Sequence, residues 1–274
     1  MLTLNSQGKT LHSTKPLIMG ILNVTPDSFY QKSRVMAVSE ATDIAGKMLL
    51  DGASIIDIGG QSTRPGATVI SANEELDRIS AVIESVVHQF PDTFISVDTY
   101  HSEVAEQVVK IGAHIINDIS GGQYDANMFT TIAALNVPYI VMHVNENKDQ
   151  MHTVNVSTSI IPVVQDFFTK TCAAAKDAGI LQLLLDPGFG FSKTPEQNFE
   201  LISNLSSLTS FQKPILIGVS RKSSIYKTLD ITAAEALNGS TVLHTAAILN
   251  GASILRVHDI KEAKEVITLC SYLQ

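Results

Sequence analysis

The chain has 274 residues, of which 45% are hydrophobic and 17% charged, and a formal net charge of −8. That balance provides for a sizeable core and excludes a disordered chain, and the length suits a single α/β barrel. The acidic excess, without any Lys/Arg run, argues against nucleic acid or a membrane surface as a partner.

Residues 1–14 alternate weakly around Gly8 and predict a hairpin that precedes the main fold and plugs its bottom. Residues 15–274 then read as one domain. Residues 16–22 form the first apolar, buried strand, which ends in Asn23. Turn chemistry follows in Thr25-Pro26-Asp27-Ser28, with Phe29 and Tyr30 on a long loop. A helix is predicted over 38–50. Gly52 stops it and opens G-A-S-I-I-D; Gly112 opens G-A-H-I-I-N and Gly251 opens G-A-S-I-L-R in the same way. Glycine suits the left-handed position just past a helix, so the repeated unit is helix, Gly, strand, polar residue. Gly179 does the same ahead of L-L-L-D-P-G-F-G-F at 183–191. Residues 94–97, 138–142 and 214–219 complete the strands and deliver Asp98, His143 and Ser220-Arg221-Lys222.

Further helices are predicted over 71–88, 102–111, 126–135, 159–178, 195–208, 233–249 and 261–272, the first of these opening on a capping box, Ser71-x-x-Glu74. Strict alternation of eight strands and eight helices predicts a closed (β/α)8 TIM barrel. An open doubly wound sheet is the runner-up, disfavoured because no G-x-G-x-x-G follows the first strand. The two cysteines, Cys172 and Cys270, fall in predicted helices without motif spacing. With an N-terminus too polar for a signal peptide and no membrane-length apolar run, a cytoplasmic protein is expected.

In such a barrel the C-terminal strand ends form the site. They carry Asn23, Asp57, Asp98, Asn117-Asp118, His143, Asp186, Lys222, Arg256 and His258. Asp98, Asn117 and Asp186 suit a heterocycle edge rich in N–H donors, and Lys222 suits a ring carbonyl or nitrogen. Arg64, Arg256 and His258 suit a phosphate or carboxylate. Asn23 can orient a phosphate or ligate a hard metal ion. The loop at 59–67, G-G-Q-S-T-R-P-G-A, is longer than a connecting turn and holds Arg64 beside Pro65, which points to an anion at the mouth. Arg221 is equally a structural ion-pair partner. Lys32 and Arg34 read as solvated loop charges.

Seven stretches carry a family resemblance: M-G-I-L-N-V-T-P-D-S-F at 19–29, D-I-G-G-Q-S-T-R-P-G-A at 57–67, S-V-D-T at 96–99, I-N-D-I at 116–119, L-D-P-G-F-G-F at 185–191, S-R-K-S at 220–223 and R-V-H-D at 256–259. In these the chain resembles the dihydropteroate synthases, a family of pterin-binding barrels. The resemblance implies condensation of 6-hydroxymethyl-7,8-dihydropterin diphosphate with 4-aminobenzoate, releasing diphosphate. It places Asp98, Asn117, Met142, Asp186, Phe191, Lys222 and Arg256 around the pterin. It places Asn23, Thr63, Arg64, Arg256 and His258 at the diphosphate, with Asn23 reaching Mg²⁺, and Phe29, Thr63, Arg64, Pro65, Phe191, Lys222 and Ser223 at the aminobenzoate. Asp98, Asp186 and Lys222 become the catalytic residues, Asp57 supports the base of the 59–67 loop, and a homodimer is implied. The chain departs from the family in the loop at 30–34, in Gln61 where glutamate is usual, and in the loop at 145–150. Alternatives are a non-catalytic pterin-binding paralogue, a methyltransferase passing methyl from a reduced folate to a corrinoid, and a Schiff-base aldolase using Lys222.

Overall fold

The structure is a computed structural model that describes residues 1–24, 34–62, 67–144 and 159–273. Two short antiparallel strands, β1 (Leu2–Ser6) and β2 (Lys9–Ser13), make the expected hairpin. The chain then alternates strand and helix through β3 (Leu17–Asn23), α1 (Arg34–Asp51), β4 (Ile55–Gly59), α2 (Ala72–Gln89), β5 (Phe94–Asp98) and α3 (Ser102–Ile111). It continues with β6 (Ile115–Asp118), α4 (Met128–Leu135), β7 (Tyr139–Met142), α5 (Ile161–Ala178), β8 (Leu183–Asp186) and α6 (Pro195–Ser203). The last elements are β9 (Leu216–Ile217), α7 (Ser223–Thr228), α8 (Leu237–Leu249), β10 (Ile254–Val257) and α9 (Ile260–Cys270).

All eight strands from β3 to β10 pair in parallel with their neighbours in chain order, and β10 returns to β3. The ring closes between β8 and β9 through a parallel bridge from Leu185 to Ile215, where Leu185 N–H donates to the Pro214 carbonyl at 2.9 Å. The fold is therefore the TIM barrel, not the open sheet.

Strand period sorts the side chains. Ile55, Phe94, Ile115, Ile140, Leu184, Leu216 and Ile254 point inward and pack together at the bottom of the barrel. Leu2 and Leu4 of the hairpin join this cluster and plug it. Polar side chains stitch the plug to the barrel. Gln7 Nε2 donates to the carbonyls of Val109 and Ala113, at 3.0 and 2.6 Å, and Gln182 exchanges two hydrogen bonds with the Asn5 backbone. The alternate residues, among them Ile56, Ile95, Ile116, Val141 and Leu255, face the helices in the larger core. Two positions further along each strand from the apolar floor stand Asp57, Ser96, Asn117, Met142, Asp186 and Arg256. A one-residue slip would turn each of these outward, so the floor fixes the site's register.

Four details differ from expectation. The helix predicted over 195–208 ends at Ser203, and a 3₁₀ segment, Leu205–Phe211, follows. The stretch at 233–249 divides into a 3₁₀ turn, Ala233–Glu235, and α8. An additional helix, α7, follows β9, so strict one-to-one alternation breaks there. Finally, Ser71 accepts from Glu74 N–H as a cap at 3.2 Å, but the Glu74 carboxylate is taken by Arg78 at 2.6 Å. Capping boxes instead open α6, at Thr194 and Gln197, and the turn at Thr232 and Glu235.

Candidate active site

The centre of the barrel mouth is a buried ion network. Arg256, inward on β10, reaches across the barrel. Its Nε donates to Asp57 Oδ2 and its Nη2 to Asp98 Oδ2, each at 2.7 Å. Asn117 Nδ2 donates to the same Asp57 oxygen at 3.1 Å. Asp57 is fully buried, and its other oxygen has no hydrogen-bond partner among the described residues. Three strands, β4, β6 and β10, thus converge on one carboxylate. Asp57 is a hub inside the barrel rather than a prop for the 59–67 loop.

Burial sets the electrostatics. It pushes the Asp98 carboxyl up to about 7, against the pull of Arg256 and with the nearby Asp57 charge adding to the rise. Burial also raises the Asp186 carboxyl, opposed by Lys222 and by the Gly188 N–H, which donates to Oδ1 at 2.8 Å. Lys222 is lowered by burial to about 8, with Asp186 opposing. For Arg256 burial works against the charge, but Asp57 and Asp98 outweigh it and hold the guanidinium above its usual range.

One wall is aromatic and apolar. Met142 packs with Tyr100, Ile119 and Val144, and Tyr124 and Phe191 lie against them. Lys222 Nζ stands 4.5 Å from the centre of the Phe191 ring and donates to the Phe189 carbonyl. Phe189 itself is buried in the core, which divides the two phenylalanines between wall and scaffold. The loop between them depends on glycine. Gly188 has φ +70, and a Cβ there would lie 2.0 Å from the His143 carbonyl oxygen. Gly190 has φ +84, and its Cβ would meet Lys222 Cδ at 2.8 Å.

At the rim, Asn23 and His258 are exposed at the ends of the adjacent strands β3 and β10. Ser223 opens α7, directly after Lys222. Asp98, Asn117, Asp186, Lys222 and Arg256 are thus gathered in the mouth, with Met142 and Phe191 beside them. Phe29, Thr63, Arg64 and Pro65 lie outside the described residues, as do Lys32 and the 145–150 loop. Gln61 ties together the two flanks of the 59–67 loop. Its Nε2 donates to the carbonyls of Ser62 and Thr68, at 2.9 and 3.1 Å, and its Oε1 accepts from Ile70 N–H at 2.9 Å.

Three strand-end residues serve the scaffold. Asp118 points outward and accepts from Tyr139 Oη at 2.6 Å and from the N–H groups of Ser120 and Gly122. Arg221, at φ +52, forks onto Asp259 at 2.9 and 3.0 Å and holds two carbonyls of the Ala233–Glu235 turn. It is the structural ion-pair partner. His143 turns to Lys193, a buried lysine that strand-end reasoning passes over. Its only sequence signal is that it carries the sole charge between Asp186 and Glu196.

Among the described residues no cluster of three or more His, Cys, Asp or Glu is arranged to hold a metal, and no helix is long and apolar enough to cross a membrane. Asn23 offers one hard oxygen at the open rim. That suits a Mg²⁺ held mainly by water and substrate phosphate.

A family model described as pterin binding enzyme matches residues 19–258. The dihydropteroate synthase of Escherichia coli K12 is 40% identical over 264 residues, covering 96% of this chain and 93% of that protein. A Xanthomonas albilineans dihydropteroate synthase solved with 4-aminobenzoic acid superposes with a TM-score of 0.91 at 36% identity, covering 99% and 98% of the two chains. A Clostridium difficile enzyme of the same name, solved in the presence of pteroic acid, gives 0.89 at 36% identity, covering 95% and 97%.

Proposed function

Because the chain belongs to the pterin binding enzyme family and has dihydropteroate synthase function in folate biosynthesis, we propose that the network of Asp57, Asp98, Asn117 and Arg256, closed by Asp186 and Lys222, is the pterin pocket in which the condensation occurs. The observation that carries this reading is the Arg256 bridge between Asp57 and Asp98, since it gathers the polar edge on one side of a pocket whose other wall is Met142 and Phe191. A flat ring with donors and acceptors at its edge matches both walls.

Asp98, Asn117 and Asp186 accept from the pterin's ring and amino N–H groups, and Lys222 donates to its acceptor side. Arg256 lies against the ring and extends positive charge toward the mouth. Asn23 and His258, with Thr63 and Arg64, receive the diphosphate. Phe29, Pro65, Phe191 and Ser223 surround the aminobenzoate. Asn23 would be the residue that holds a Mg²⁺, which when bound would supply charge neutralisation for the diphosphate.

The chain's own residues act by fixed electrostatics. As the bond from the pterin methylene to diphosphate breaks, positive charge spreads from the methylene into the ring. Asp98 and Asp186 face that ring and stabilise the charge without reorganising. The aniline nitrogen is neutral at pH 7 and needs no strong base to attack. No side chain forms a covalent intermediate.

Two further proposals accompany this reading. The enzyme is a homodimer packed through its late helices; Val242 and Leu249 on α8, and Leu269 on α9 with Tyr272 and Leu273 after it, leave apolar side chains exposed there. It works in the cytoplasm, with which two free cysteines whose thiols burial pushes up agree. The test of function is diphosphate release from the pterin diphosphate with and without 4-aminobenzoate. Release that depends on aminobenzoate, with 7,8-dihydropteroate formed in equal amount, is expected. Binding of the pterin without release would point to a non-catalytic paralogue.

A further inference from the structure

We propose that Lys193 is a positioning residue for the pterin pocket, locking the loop after β8 against the end of β7 and flanking Asp186 with a second cation. The inference rests on reading the barrel mouth as the pterin site. Lys193 is buried, and among the described residues none of its hydrogen bonds goes to a carboxylate. Its Nζ donates to His143 Nδ1 and to the Gly188 carbonyl at 2.9 Å, and to the Phe191 carbonyl at 3.0 Å; a longer contact of 3.4 Å reaches the His143 carbonyl. An ammonium has three protons and no lone pair, so the His143 ring must be the acceptor at Nδ1 and carry its proton on Nε2. Burial lowers His143 to about 2, with Lys193 adding to the drop, which keeps the ring neutral.

The acceptors show what this lysine does. Gly188 and Phe191 bracket a loop in which Gly188, Gly190 and Ser192 all have positive φ, Ser192 at +51. For a residue with a Cβ, that backbone is costly unless its surroundings impose it. The same loop carries the Phe191 ring and the Phe189 carbonyl that anchors Lys222. One amine therefore fixes both the aromatic wall and the seat of Lys222. From the far side Asn198 accepts from Gly190 N–H at 2.6 Å and donates to Ser224 at 3.0 Å, so the loop is held at both faces.

A clamp that only tied carbonyls together would not need a charge. Burial lowers Lys193 to about 7, and Asp186 is what opposes that drop. In return Lys193 is one of the cations that oppose the rise of Asp186, together with Lys222 and Arg256. The groups that face Lys193 are His143 from β7, Asp186 from β8 and Lys222 from the loop after β9. Of these, Asp186 is the group placed against the substrate whose charge Lys193 supports.

The test compares the full-length wild type with Lys193→Met and Lys193→Gln. Initial rates are measured with 6-hydroxymethyl-7,8-dihydropterin diphosphate varied at saturating 4-aminobenzoate, across pH, alongside amide hydrogen exchange of the free proteins. For Lys193→Met, the KM for the pterin diphosphate is expected to rise roughly 10- to 100-fold, as for a displaced positioning group. The acidic limb of kcat/KM moves to higher pH, because Asp186 loses a cation that favoured its charge. Exchange rises at 188–192 but not in the hairpin at 1–14. Lys193→Gln keeps a donor without the charge. It restores exchange protection and part of the KM, and leaves the acidic limb shifted. If Lys193→Met folds and keeps its KM within about twofold, its acidic limb and its exchange, the positioning role is wrong; should it not fold, Lys193→Gln decides through its acidic limb, and an unshifted limb with a wild-type KM overturns the role. The exchange comparison needs no turnover. A wild type that makes no dihydropteroate would overturn the functional reading, while the exchange data would still decide the clamp.

Discussion

Replacing Asp57 with Asn separates the two jobs of the central network. Asp57 holds Arg256 at 2.7 Å and Asn117 at 3.1 Å through a single oxygen, in a fully buried position. The amide keeps the shape and one acceptor but removes the charge. Hydrogen bonds to charged groups contribute about 1.5–3 kcal/mol; a bond with both partners ionised stands near the top of that range and one in which only Arg256 is ionised near the bottom, so the Arg256 contact loses about 1–2 kcal/mol. The new NH₂ takes the position of the oxygen that has no partner among the described residues, and a buried donor left unpaired costs about 1–2 kcal/mol more. The expected loss is about 2–4 kcal/mol, which for a domain of this size lowers Tm by roughly 5–12 °C. Arg256 stays bridged to Asp98, but with its grip on residue 57 weakened and Asn117 less firmly seated, turnover should fall on the order of 100-fold. The pH profile moves the other way. Asp57 is one of the charges that raise Asp98, so its removal lets Asp98 ionise more readily, and the acidic limb of kcat/KM shifts to lower pH. Thermal unfolding followed by circular dichroism and a coupled diphosphate assay read both effects. A variant with an unchanged Tm and an unshifted limb would show that Asp57 is not the hub.

Asp98→Asn should lose on the order of 100-fold or more in turnover, yet gain in relative stability as pH rises. The folded chain raises this carboxyl from 3.8 to about 7, so the stability it contributes is fully present below about 4 and is lost as pH rises through 7. The Tm difference, variant minus wild type, should therefore become more positive between pH 5 and pH 8; a constant difference refutes the shift. Gly188→Ala places a Cβ 2.0 Å from the His143 carbonyl at φ +70, and the loop must move. Activity should drop on the order of 100-fold while the far-ultraviolet spectrum is retained. Leu4→Ala removes a side chain that is 2% exposed from the barrel plug, and should cost roughly 2–4 kcal/mol in urea unfolding. Both KM values should stay within about twofold, since the plug lies at the opposite end from the site.

The glycine-stopped repeats made the barrel legible, because each Gly, strand and polar unit records one helix end and one strand end. The same periodicity located the mouth: Asp57, Asn117, Asp186 and Arg256 each sit two residues past a bottom-layer apolar side chain. What the period does not record is who meets whom across the barrel. Asp57 binds partners 60 and 199 residues away, and only closure of the ring brings them together. That is why chemistry nominates Asp57 while local reading leaves it at the base of a loop. Lys193 escaped for another reason. Two of its strongest acceptors are backbone carbonyls, which every residue possesses, so no side-chain pattern announces it. The break at Asn204 escaped similarly, since the apolar spacing runs on through Leu205 and Leu208 although the backbone tightens to a 3₁₀ path.

The charges in the mouth are held against their own solvation. Burial pushes Asp98 and Asp186 up and Lys193 and Lys222 down, so each of the four is drawn toward its neutral form in the free protein. Arg256 alone is driven further into its charged state, because two carboxylates grip it. Such an arrangement is poor at stabilising the empty fold and well suited to a ligand that supplies what burial removed. A ring edge bearing N–H groups restores partners to the two carboxylates, and positive charge developing on that ring favours their ionised state further. Recognition and rate acceleration then draw on the same groups. This also explains why the two central substitutions should differ in their effect on the fold. Asp57→Asn removes the partner that keeps Arg256 in place, and the fold weakens. Asp98→Asn removes a charge that the fold resists carrying, so its stability rises relative to the wild type as pH rises while the chemistry is lost. A single buried network produces both results only if Arg256 is organised by Asp57 and Asp98 is left poised for the substrate.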